Sequence, residues 1–250
     1  MPVFDPREKD FPLLPFIIIS NIFPLIGVLY YDMSFFMLFY LFWWETVIMS
    51  IFQWLKMKKA SKQDVPDPNF TINGNPLSYE QVNNKKYMRR MFLIVRTLML
   101  LFYLLFIVVF VGFYIPAQNS DNEGMISSAQ AIVFADGWMR ISFLIFLLVH
   151  GIDYVNYIAT KQYEETSLRQ LGMPFDGRII IIHVVIVGGT FLSMFVGEKL
   201  FPGNPKAGQV SIAALFVVMK IILDLFALKS NKRRTETILT TYNSLTGKQK

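Results

Sequence analysis

The stretch LFYLFWWETVIMSIF, residues 38–52, holds fourteen uncharged residues around a single glutamate, Glu45. Read as a helix it rises about 1.5 Å per residue, so with its apolar flanks it is long enough to cross a hydrocarbon core of about 30 Å. Five further runs share its character. Residues 12–31, 33–55, 91–115, 138–159, 179–200 and 208–228 each extend over about twenty residues with few charges. Continuous rather than alternating hydrophobicity favours helices over barrel strands. The expectation is an all-α polytopic bundle of six transmembrane spans, with residues 1–228 as the membrane domain and 229–250 as a basic cytoplasmic tail.

Composition agrees. Of the 250 residues 54% are apolar, and phenylalanine alone occurs 24 times, more than a soluble domain of this size needs to fill a core. The first run ends in GVLYYDMS without a small-x-small cleavage signal and is followed at once by a second run, so it reads as a retained helix. There is no cysteine, which excludes thiolate catalysis and thiolate metal ligation.

The charge is asymmetric. Segments 1–11, 56–90, 160–178 and 229–250 carry 2, 8, 3 and 6 Lys/Arg, whereas the intervening short loops carry only Lys206. The positive-inside rule then places both termini in the cytoplasm. The basic residues are accounted for by topology. No basic groove with stacking aromatics lies outside the spans, so the expected partner is the lipid bilayer and not nucleic acid. A homo-oligomer is left open.

Local signals refine the picture. Ser34 or Asp32 can cap the second span. SYEQ, Ser78 to Gln81, is a capping box whose helix would carry Lys85, Lys86, Arg89 and Arg90 to the headgroups. The third span reads as mainly lipid-facing, with Arg96 snorkelling to the interface. Gly189, Ser193 and Gly197 form a small-residue packing stripe, and Asn21 with Pro24 reads as a kink whose freed carbonyl an amide satisfies.

The polar residues within the spans carry the functional information. Counted from the helix ends, Glu45, His150 and Lys220 fall at one depth near the midplane. Asp153, His183 and Asp224 form a second layer nearer the cytoplasm. One central charge costs about 2.5–3.5 kcal/mol on insertion scales, so four facing lipid would cost on the order of 10 kcal/mol. They are expected to face inward as one cluster, Glu45, His150, Asp153, His183, Lys220 and Asp224.

Three uses fit such a cluster, beside a purely structural network that fixes packing. The first is transport or proton handling of a small solute or ion. The second is a metal site on Glu45, His150, Asp153 and His183, although no paired-histidine motif is present. The third is an embedded hydrolase or transferase, for which no G-x-S-x-G occurs. No catalytic residue and no cofactor is legible.

Three segments also carry a resemblance. SNIFPLIGVLYYDMSFFMLFYLFWWETVIMSIFQWLKM (20–57), RIIIIHVVIVGG (178–189) and KIILD (220–224) resemble an uncharacterised family of prokaryotic integral membrane proteins, domain of unknown function 6498. The resemblance spans most of residues 14–228 and implies a multi-pass bacterial inner-membrane protein. It implies no reaction.

Overall fold

The structure is a computed structural model. It describes residues 13–31, 33–64, 71–72, 75–76, 78–114, 129, 131–172 and, further on, 213–215, 217–219 and 221–222. The described chain is helical apart from a two-residue antiparallel hairpin, in which Thr71 pairs with Pro76 and Ile72 with Asn75. Helix α1 spans Leu13–Tyr30 and α2 Phe35–Lys59. A short α3, Tyr79–Asn83, precedes α4, Lys85–Phe106, which runs on as a π-helical segment Ile107–Tyr114. Helix α5 is Gly137–Ala159, and after a 3-10 turn at Gln162–Glu164 comes α6, Leu168–Gly172.

Three of these, Phe36–Lys59, Lys85–Phe113 and Gly137–Ala159, are long and apolar enough to cross a membrane, and α1 contributes a shorter apolar segment, Ile18–Tyr30. Their outer faces are apolar as well. Leu93, Ile94, Leu98, Leu101, Phe102 and Leu105 on α4 are exposed, as are Ile141, Leu144, Leu147, Leu148 and Val155 on α5. Apolar surface on this scale is costly in water and suits hydrocarbon.

Helix α2 is the axis, packed by α1, α4, α5 and α6. Its contacts fix the directions of its neighbours. Against α4 they descend: Phe36 lies at Gly112, the Trp43 indole donates to the Leu100 carbonyl at 2.8 Å, Arg96 meets Ser50, and Lys85 donates to the Lys58 carbonyl. Against α5 they ascend: Tyr40 meets Phe134 just before the helix, Trp44 meets Phe143, and Phe52 meets Tyr154. So α4 is antiparallel to α2 and α5 parallel to it. One end of the bundle therefore collects 56–64, 78–90 and 160–172, which are rich in lysine and arginine. The other collects Tyr31, Met33, Ser34 and 131–137.

Sequence explains the starts of these helices. The Ser34 hydroxyl accepts from the Met37 amide, and Asp136 accepts from Met139, giving α2 and α5 side-chain N-caps. The Ser78–Gln81 capping box is formed in both directions, but the helix it starts ends at Asn83. Asn84 takes an extended ψ of 103° and caps a new helix through the Tyr87 amide, so Lys85 to Arg90 belong to α4 and not to the capping-box helix.

At the basic end the two loops are tied together. Lys62 bridges Ser167, and the Ser61 amide donates to Tyr163. Buried Asp64 accepts from the Arg169 amide at 2.9 Å, while its backbone exchanges two bonds with the Asn83 amide side chain. A small apolar cluster of Met57, Ala60, Val82, Met88, Phe92 and Leu168 lies beneath.

At the opposite end Trp138 is stacked between Phe23 and Tyr31, with centroids 4.3 and 4.1 Å away, and its indole donates to the Phe23 carbonyl. This clamp joins α1 to α5. Asn21 and Pro24 lie buried on either side of Phe23 in α1.

Candidate functional site

A helix advances about 100° per residue, which divides the polar residues of α2 between two faces. Glu45, Met49, Phe52 and Lys56 point one way, and Thr46, Ser50, Trp54 and Met57 the other. The first set faces α5, whose residues 143, 146, 150, 153, 154 and 157 recur at helical spacing on the matching side. The second faces α4, where 85, 89, 92, 96, 100 and 103 do the same.

On the α5 side, Glu45 Oε1 lies 3.9 Å from His150 Nε2, each side chain 13% exposed. Both stand about 15–20 Å along their helices, well inside the spans. The separation exceeds a hydrogen bond. Ring pairs bracket the two groups. Phe42–Phe146 and Trp44–Phe143 lie toward one end, and Phe52–Tyr154 toward the other.

One turn toward the basic end, Asp153 accepts from Lys56 Nζ at 2.7 Å. The same ammonium sits 5.0 Å from the centre of the Tyr157 ring. Lysine reaches back toward its own N-terminus, which is how Lys56 meets a residue nearer the midplane than itself. The α2–α5 seam thus carries two acid–base pairs in series.

The α4 side holds an arginine in place of a second such pair. Arg96 is 1% exposed and is the largest fully buried side chain of the described residues. It does not snorkel. Its Nε donates to Ser50 Oγ at 2.8 Å, and Ser50 in turn donates to the Thr46 carbonyl at 2.6 Å. Phe92 packs at 5.8 Å from the guanidinium carbon, and Tyr103 is buried two turns on. So α4 shows lipid only one face. The other, carrying Arg89, Phe92, Arg96 and Tyr103, belongs to the bundle.

Of the six residues expected in one cluster, the structure brings Glu45 and His150 together and gives Asp153 to Lys56. His183, Lys220 and Asp224 lie outside the described residues, as does the Gly189–Ser193–Gly197 stripe. Among the described residues no three His, Cys, Asp or Glu side chains converge as a metal site requires.

Sequence reasoning missed Lys56 and Arg96. The signal for both was azimuthal. Lys56 is eleven residues beyond Glu45, three helical turns, and Arg96 shares a face with Arg89, Phe92 and Tyr103.

Residues 5–238 match the family of unknown function DUF6498, so the chain belongs to that family. Neither the curated proteins nor the solved structures contain a match.

Proposed function

We propose, with membership of this family as the premise, that the chain is an integral membrane protein that handles protons or another small cation, with the Glu45–His150 pair as its exchanging centre. The observation that carries the reading is that pair, 3.9 Å apart between apolar rings in mid-span. A carboxylate and an imidazole brought within hydrogen-bond reach can pass one proton between them, as the imidazolium–carboxylate pair or as the neutral pair. The Lys56–Asp153 pair, one turn nearer the basic end, then acts as a gate. While closed it presents no net charge, and opening exposes Asp153 as the next proton acceptor. The site is seated in a bacterial inner membrane with the basic end and both termini cytoplasmic. That orientation rests on the positive-inside rule, and α1 together with the apolar runs 179–200 and 208–228 completes the six.

The test is proton flux into proteoliposomes that hold a pH-sensitive dye, driven by a potassium diffusion potential. Wild type should acidify the lumen, and Glu45→Gln should lower the rate at least about tenfold, the factor that about 1.4 kcal/mol of lost stabilisation gives. Equal flux through wild type and Glu45→Gln would remove the reading.

A second reading has one observation of its own. Arg96, Ser50 and Thr46 form a chain of hydrogen bonds that joins α2 to α4. If the α2–α5 seam serves the same end, Glu45→Gln leaves flux at the level of empty liposomes in both proteins and lowers only the unfolding temperature.

A further inference from the structure

At the basic end of the α2–α4 interface two cations lie against one indole, and a third stands beside them. Lys58 Nζ lies 4.5 Å and Arg89 Cζ 4.1 Å from the Trp54 ring centre. Lys85, one turn before Arg89 on α4, donates to the Lys58 carbonyl at 3.4 Å. None of the three is paired with a carboxylate among the described residues. The Arg89 Nε is buried there without a hydrogen-bond partner.

Two physical costs stand against this arrangement. Like charges gathered round one ring repel, and a buried guanidinium N–H without an acceptor forfeits its desolvation energy. The helix dipole adds a third. Lysines at the C-terminal end of α2 are complementary to its dipole, but α4 opens with Lys85 and Lys86 at its positive end and has no acidic residue in its first turn. An anion seated between Lys58, Lys85 and Arg89 offsets both the like-charge repulsion and the dipole mismatch.

We infer that Trp54, Lys58, Lys85 and Arg89 form a binding site for the phosphate of an anionic phospholipid headgroup. The lipid is favoured over a free anion by what continues from the site. One turn beyond Arg89, toward mid-span, α4 exposes Leu93, the first apolar residue an acyl chain continuing from the site would meet. Tryptophan at such a level is an interfacial anchor. The site is separate from the Glu45–His150 seam, and its test does not depend on flux.

The full chain in neutral detergent is offered phosphatidylglycerol, phosphatidylcholine or inorganic phosphate. Native mass spectrometry counts the lipid retained, and thermal unfolding reports stabilisation. Phosphatidylglycerol should be retained and should raise the midpoint above that reached with phosphatidylcholine, while inorganic phosphate should leave it unchanged. Removing two cations by Lys58→Gln with Arg89→Gln should weaken phosphatidylglycerol retention about 30-fold, at roughly one headgroup interaction per charge. Lys62→Gln with Lys161→Gln, the same charge loss away from Trp54, should leave retention within about threefold, since exposed charges are screened. Equal retention of the two lipids overturns the site, and so does equal loss in the two double variants. A midpoint shift reproduced by inorganic phosphate assigns the site to free anions and overturns the lipid. The lipid comparison is made on wild type, so it decides the matter whatever the folding yield of the variants.

Discussion

Lys56 and Asp153 are only partly withdrawn from solvent, at 14% and 36% exposure, yet their 2.7 Å contact is the shortest ion pair of the described residues. A fully exposed pair is worth about 0–1 kcal/mol, and removing one partner of a buried pair costs about 3–5 kcal/mol. This pair should fall between. A double-mutant cycle with Lys56→Ala and Asp153→Ala, read by chemical unfolding in micelles, is expected to give a coupling of about 1–2 kcal/mol. A coupling indistinguishable from zero would show that the seam opens freely at its basic end and that no gate is present. The pair also shows where sequence reading stops at the scale of single residues. A lysine at the end of an apolar run is ordinarily a headgroup anchor, and nothing local marks Lys56 as different. Arg96 was obscured in the same way by the leucines around it. Its burial follows from the α2 hydroxyl of Ser50, which belongs to another helix.

Between elements, the closest fit is that of α1 to α5. A Cβ built on Gly27 would come within 2.4 Å of Trp138 Cδ1 and Nε1, nearer than any real Cβ contact. Trp138 cannot simply turn aside, because it is stacked on both faces and bonded to the Phe23 carbonyl. Gly27→Ala is therefore expected to destabilise the protein by about 1–3 kcal/mol, the usual range for overpacking, as a lowered thermal midpoint. Trp138→Ala in the same background should recover part of the loss, and no recovery would place the strain elsewhere. Gly112 is a useful contrast. Its Cβ would meet the end of the Phe36 ring at 2.9 Å, a more yielding neighbour, so Gly112→Ala should cost less.

For the whole molecule, the apolar runs were legible because a span needs continuous hydrophobicity, which a single sequence displays directly. Levels along the helices were legible too, by counting from their ends. Which helix faces which was not, because azimuth between helices is set by packing that no local pattern records. Glu45 and His150 could be given a common depth. Their being 3.9 Å apart depends on α5 lying parallel beside α2. The same alternation of helix directions yields a test of orientation, and the chain is ready for it because it contains no cysteine. Single cysteines at Tyr30, Val133, Lys62 and Glu164 all stand at exposed positions, the first two at one end of the bundle and the last two at the other. Lys62 and Glu164 lie in loops that the Lys62–Ser167 bridge holds together, so they must report the same side. With a membrane-impermeant maleimide on intact cells, Tyr30→Cys and Val133→Cys should label, and Lys62→Cys and Glu164→Cys only after permeabilisation. The reverse pattern would place the lysine-rich end outside, against the charge rule, and would turn both the proposed gate and the headgroup site to the other leaflet.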